Sequence, residues 1–307
     1  MSKTLSVRLF FVLLLSGIII FLPGCAKSEN SGEEPPVYSP ARVLTPEAPG
    51  TQTLGSSPLV LDISNQDQGY LTAQSDSEDS RMSIQLTTPS GVLYSYFLAP
   101  KEQAVIPFSE GSGDYVITCY QQINGSQYAA LYSETLTVNL ENEFLPFLYP
   151  NQYVNFSAES EACTLAQSLV TEEMKDVDIL KTFYNYVPSH ITYDYDKANS
   201  VEAGYLPDID ETLRTGTGIC FDYAALLTAM LRSQDIPCKL EIGYSGEIKH
   251  AWIDVYIRGK GWATKAVSFD GDTWQLMDPT FDANSDDDET IQEYIGDESN
   301  YTVQFSR

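Results

Sequence analysis

The sequence predicts an α+β C-terminal half preceded by a small all-β, immunoglobulin-like sandwich, and three observations carry that prediction. Short runs of alternating apolar residues, separated by turn signals, fill roughly residues 57–142. Helical periodicity replaces them after Pro146 and Pro150. A glycine-broken loop at Gly216 and Gly218 then opens an almost wholly apolar helix, after which strand-period runs return. The implied division is 1–24 leader, 25–56 tether, 57–147 sandwich and 148–307 second domain.

The leader carries Lys3 and Arg8, no acidic residue, and an apolar run from Leu9 to Phe21 broken only by Ser16 and Gly17. That run is too short for a lasting membrane span and reads as a signal peptide. Leu22-Pro-Gly-Cys25 resembles the bacterial lipoprotein box, which implies lipidation of Cys25 and anchorage on the outer face of a bacterial cell membrane. The competing reading is a plain secreted protein with a chance cysteine. The tether after Cys25 is rich in Ser, Glu, Pro and Gly, with too few large apolar side chains to order itself.

Seventeen basic against 43 acidic residues give a net charge of −26, which argues against nucleic acid as a partner. The acidity either keeps an exported protein soluble or draws basic peptides and cations to its surface.

In the sandwich, Leu59–Ile63, Met82–Leu86 and Tyr115–Cys119 read as strands, with Tyr115, Ile117 and Cys119 on one face. Asn124-Gly125 marks a hairpin between Tyr115–Gln121 and Tyr128–Tyr132. About seven strands of this kind point to an antiparallel sandwich. Its tyrosines (Tyr70, Tyr94, Tyr96, Tyr120, Tyr128 and Tyr132) either pack its core or offer a ligand platform, so the module is a spacer or a binding domain.

In the second half, a helix is expected over about 158–170. Another runs from an Asp176 N-cap through Val177, Leu180, Tyr184 and Val187, ended by Pro188. Ile191–Asp196 then leads into a loop. Cys220 opens the apolar helix, where only Asp222 and Thr228 are clearly polar as far as Leu231. A thiol at a helix N-terminus meets unpaired N–H groups and the positive end of the helix dipole, which favour the thiolate. It is therefore a candidate nucleophile, against the alternative of a core cysteine. Of the two histidines, His190 follows Pro188 and reads as a surface or capping residue. His250 starts the strand-period run His250-Ala-Trp-Ile-Asp-Val-Tyr-Ile, beside which a base is well placed. Trp274–Met277 forms a further strand-like run ending at Asp278-Pro-Thr, whose carboxylate is placed to orient an imidazole.

Gly218-Ile-Cys-Phe-Asp-Tyr-Ala, His250-Ala-Trp and Asp278-Pro-Thr, in that order, resemble the transglutaminase-like superfamily of papain-type thiol enzymes. The resemblance covers roughly residues 150–307. It implies a papain-like core with Cys220 as nucleophile, His250 as base and Asp278 as orienter, and it says nothing about the first half. Tyr193 is either an oxyanion donor beside Cys220 or a packing residue, and Trp252 and Trp262 are expected to pack the sheet.

No cofactor is expected. Asp282–Glu293 places oxygen side chains as a calcium loop would, but Asp287 stands where such a loop needs glycine, so a solvated acidic loop is the reading preferred over a calcium site. Cys119, Cys163 and Cys238 show no redox or zinc spacing and are expected as buried free thiols. Three functions remain at this stage. One is a cysteine hydrolase or acyl transferase acting on peptide or protein amides, with a cell-wall or surface protein as the partner it implies. The others are a non-catalytic binding relative and a structural surface lipoprotein.

Overall fold

A computed structural model describes residues 43–264, 267–269, 274–276 and 301–307, all within one compact unit. Its first part holds eight strands: β1 (Thr53–Ser56), β2 (Leu59–Asp62), β3 (Tyr70–Ser75), β4 (Met82–Thr87), β5 (Leu93–Leu98), β6 (Gln103–Pro107), β7 (Gly113–Asn124) and β8 (Gln127–Val138). They form two antiparallel four-stranded sheets, β1-β2-β3-β6 and β5-β4-β7-β8. Alternate residues of both, among them Leu61, Leu71, Ile84, Tyr96 and Ile117, close on a common core, which makes the pair a sandwich of immunoglobulin-like connectivity. Tyr115, Ile117 and Cys119 all face that core. The Asn124-Gly125 hairpin forms as expected, with Asn124 paired to Gln127 and Gly125 at φ +51°. Tyr70, Tyr94 and Tyr96 are buried and serve as packing, so they form no surface platform.

The second part runs α1 (Glu161–Leu169), α2 (Asp176–His190), β9 (Thr192–Tyr193), α3 (Tyr195–Ser200), α4 (Ile209–Thr215), β10 (Thr217–Gly218), α5 (Cys220–Arg232), β11 (Cys238–Ser245), β12 (Ile248–Ile257), β13 (Gly261–Ala263), β14 (Val267–Phe269), β15 (Trp274–Leu276) and β16 (Tyr301–Ser306). Helices come first and an antiparallel sheet, β13-β12-β11-β16, follows, as the sequence predicts. α5 packs on β11 and β12 on one side and on α1, α2 and α4 on the other. Its leucines Leu226, Leu227 and Leu231 are wholly buried, each contributing about 1.5–3 kcal/mol.

Three local expectations are corrected. Asp176 is the first helical residue of α2 instead of its cap, because its carboxylate receives the Arg258 guanidinium (2.8–3.1 Å) and the Arg258 N–H (3.0 Å). The cap's work falls to Asp178, which accepts from the Lys175 N–H. The helix also runs through Pro188 to His190: a proline so near the end removes one bond, while Ile191 N–H to Val187 O and Ser189 Oγ to Asn185 O hold the last turn. His190 is exposed and stacks on Tyr186 at 3.8 Å, as a surface residue should. Finally, Ile191–Asp196 leads not directly into a loop but into the short helix α3, capped by the Asp194 carboxylate on Lys197 N–H.

The two parts share a seam. Arg307 is buried with its guanidinium 4.2, 4.8 and 4.4 Å from the rings of Tyr94, Tyr96 and Tyr153, and it donates to Tyr96 OH (3.1 Å). Arg232, also buried, donates to the carbonyls of Cys238, Tyr149 and Arg307 (2.7–2.9 Å), tying the end of α5 to the linker and to β16. Burial lowers the Arg232 guanidinium to about 10.

Candidate active site

Cys220 opens α5 and is half-buried against the second core. The chain reaches it through two glycines. Gly216 ends α4 in the left-handed conformation at φ +65°, which glycine adopts without strain. Gly218 then lies so close to α5 that a Cβ there would sit 2.8 Å from the Cβ of Asp222. β10 pairs in parallel with β9, setting Gly218 opposite Tyr193. Tyr193 is thereby held two residues from Cys220 along the neighbouring strand, its ring 4.9 Å from Tyr195 and 6.4 Å from Tyr223. Tyr223 OH donates to the Ile191 carbonyl (2.5 Å) and fixes β9 against the helix.

Beneath the thiol stands a residue that the sequence reading noted only as polar. Asp222 is fully buried, and its Oδ2 accepts from the Ile219 N–H (2.8 Å), closing the open end of α5. The same oxygen pairs with Lys197 Nζ at 2.7 Å, and Oδ1 accepts from Tyr205 OH at 2.5 Å. Burial alone would lower the Lys197 ammonium, but its bonds to Asp222 and Tyr205 carry it upward. Burial, with the Asp222 carboxylate beside it, pushes the Tyr205 hydroxyl up to about 12. The signal was legible in part: a lone acid at the third position of an apolar helix is where a carboxylate can reach back to the free N–H groups. Lys197 and Tyr205 gave none, because only the fold brings them there.

His250 is the third residue of β12, two residues inside the strand instead of at its start, and it is buried at 6% exposure. It pairs with Gly243 of β11, and its ring lies 6.2 Å from Trp252 and 6.4 Å from Tyr301. Trp252 is buried, while Trp262 packs on Phe144, Phe147 and Tyr256. The strand holding His250 is thus one of the two against which the Cys220 helix packs. Asp278, Cys25 and the acidic segment 282–293 lie outside the described residues.

Burial raises the other described thiols, Cys119 and Cys163 to about 11 and Cys238 to about 12, and all three are unbridged and buried. Cys220 alone of the described cysteines is partly exposed, as a reacting thiol must be.

A cysteine-headed helix packed on an antiparallel sheet, with helices before it, defines an α+β core of the papain and transglutaminase type. Residues 163–279 match the family model of the transglutaminase-like superfamily, a segment that includes Cys220, His250 and Asp278. Kyphoscoliosis peptidase of Mus musculus is 27% identical over 129 residues, 38% of this chain and 17% of that protein. The Homo sapiens protein of the same name is 27% identical over 137 residues, 41% of this chain and 19% of that protein. The chain therefore spans less than a fifth of the curated relatives it matches. Among solved structures, a candidate cysteine protease from Cytophaga hutchinsonii aligns over 78% of this chain and 79% of its own at 16% identity and a TM-score of 0.39. The periplasmic domain of TgpA from Pseudomonas aeruginosa aligns over 79% and 98% at 14% identity and a TM-score of 0.36.

Proposed function

We propose that this chain is a cell-envelope cysteine enzyme that hydrolyses peptide or protein amides through a thioester on Cys220. The observation that carries the reading is the position of Cys220, partly exposed at the first turn of a buried helix that packs on the strand holding His250. In this reading the Cys220 thiolate attacks the substrate carbonyl and His250 delivers a proton to the leaving amine. Water, deprotonated by His250, then resolves the thioester and returns free acid and thiol. Asp278 orients the imidazole, and Tyr193 with the Cys220 N–H faces the oxyanion. Cys25 carries the lipid that anchors the protein on the outer face of the membrane, and a surface or cell-wall protein is its partner.

The test is alkylation. Native protein at pH 6, where an ordinary thiol is almost entirely protonated, is treated with iodoacetamide and read by mass spectrometry. Cys220 is expected to label first and His250→Ala to slow it at least tenfold. Labelling no faster than in the denatured chain would leave a non-catalytic binding relative instead. Offering a primary amine with a glutamine-containing peptide separates the two chemistries, since incorporation of the amine would replace hydrolysis by acyl transfer.

A further inference from the structure

Where the sandwich meets the linker lies a cavity of about 340 Å³, within the roughly 300–1,000 Å³ typical of ligand sites. One wall is β6, an edge strand paired only with β3. The phase of that pairing fixes which main-chain groups are free. Ser75 N–H to Glu102 O and Phe108 N–H to Gly69 O mark bonded pairs, so in the same register Ala104 and Ile106 spend their peptide groups on β3. Gln103 and Val105 then turn theirs outward, as the bond from Gln152 N–H to Val105 O (3.1 Å) bears out. The N–H and C=O of Gln103 and the N–H of Val105 therefore border the cavity.

The remaining lining mixes apolar residues (Leu44, Pro46, Pro150, Phe156 and Pro207) with neutral amides and hydroxyls. Glu102 is the one ionisable side chain among the lining residues, and it accepts from the Ala99 N–H at 2.5 Å. In a chain with a net charge of −26, so neutral a cleft excludes highly charged ligands by desolvation.

Two walls continue toward the thiol. Leu206 and Pro207 follow Tyr205, which bonds Asp222 and sets its ring 6.2 Å from Phe221. Gln152 precedes Tyr153, whose ring is also 6.2 Å from Phe221, the neighbour of Cys220. We propose that this cavity is a peptide subsite, in which an extended, uncharged segment of the protein substrate adds as a strand to the outer edge of β6. Main-chain bonds to Gln103 and Val105 hold it, and its alternate side chains enter the apolar lining. The sandwich is then the module that presents substrate to the second domain, a role that rests on the enzymatic reading of Cys220.

The full chain carrying Cys220→Ala, immobilised, is offered a mixture of end-capped decapeptides randomised over Ala, Val, Thr, Gln, Pro and Tyr, and retained peptides are quantified by mass spectrometry. Adding Gln103→Pro, which deletes an outward N–H at an edge position that tolerates proline, is expected to cut retention at least tenfold. Thr45→Trp, which fills the cavity without altering any residue of β6, is expected to do the same. No retention by the Cys220→Ala chain, or equal retention by both variants, would overturn the proposal. Alkylation of Cys220 in the unaltered chain is scored separately, so failure of the enzyme reading and failure of the subsite are told apart.

Discussion

Asp222 shows how much one side chain can organise. It satisfies a free N–H of α5, neutralises Lys197 and takes the Tyr205 hydroxyl, joining the 195–205 segment to the helix that carries the thiol. Asp222→Ala would leave an ammonium and a phenol turned toward an apolar gap. Since the Lys197 side chain is 30% exposed and can swing toward water, the loss falls below the roughly 3–5 kcal/mol of a fully buried broken pair, at about 2–3 kcal/mol. Urea unfolding measures it, and Lys197→Met in the same background should then cost little more, the signature of a coupled pair. At this scale the sequence was informative wherever chemistry is local. The thiol at the helix start and the exposed His190 were read correctly. The partners of Asp222 were not, because their 17- and 25-residue separations carry no periodic signal.

Among elements, β11 has one position that tolerates no side chain without a shift of its neighbours. Its Gly243 faces His250 across the ladder, and a Cβ there would stand 1.9 Å from the Thr302 carbonyl oxygen and 2.9 Å from the Trp252 ring. Gly243→Ala is expected to force β16 away from β11 and cost about 1–3 kcal/mol, read as a lowered melting temperature. Alkylation of Cys220 should slow in parallel, because the strand under His250 shifts with it. The periods of two and 3.6 predicted strands and helices well in both halves, and the Asn124-Gly125 hairpin followed from turn chemistry alone. They missed the continuation of α2 through Pro188, where other donors replace the lost bond, and α3, which is too short to show a period. β16 also escaped, since Tyr301–Ser306 alternates only weakly and gains its place from β11.

At the level of the whole molecule, the seam joins a sandwich and a transglutaminase-like α+β fold through groups distant in sequence. Glu241, buried on β11, lies with its carboxylate oxygens 2.7 and 2.6 Å from Ser306 Oγ. Burial, reinforced by the nearby Asp254 charge, pushes it up to about 8. A carboxyl raised in the folded state favours folding in its neutral form. Its contribution is complete below the unfolded value of about 4.5 and disappears as pH rises through about 8. The melting temperature should therefore fall between pH 5 and 8 more steeply in the native chain than in Glu241→Gln, which keeps a hydrogen-bonding amide and cannot ionise. Calorimetry of the two proteins across that range decides it, and parallel curves would reject it. None of this was visible in a linear reading, which drew a boundary near residue 148 from a change of periodicity and had no means of seeing Arg307 beside Tyr96.

The 211-residue separation of Tyr96 and Arg307 also imposes a timetable. As the chain emerges, the sheet beside His250 lacks an edge until β16 arrives, and the cage of tyrosines waits empty for its arginine. Closure of so long a loop is slow compared with forming a hairpin or a helix. A nascent or truncated chain therefore carries Cys220 on an unfinished frame, one that the fold completes only when β16 joins β11.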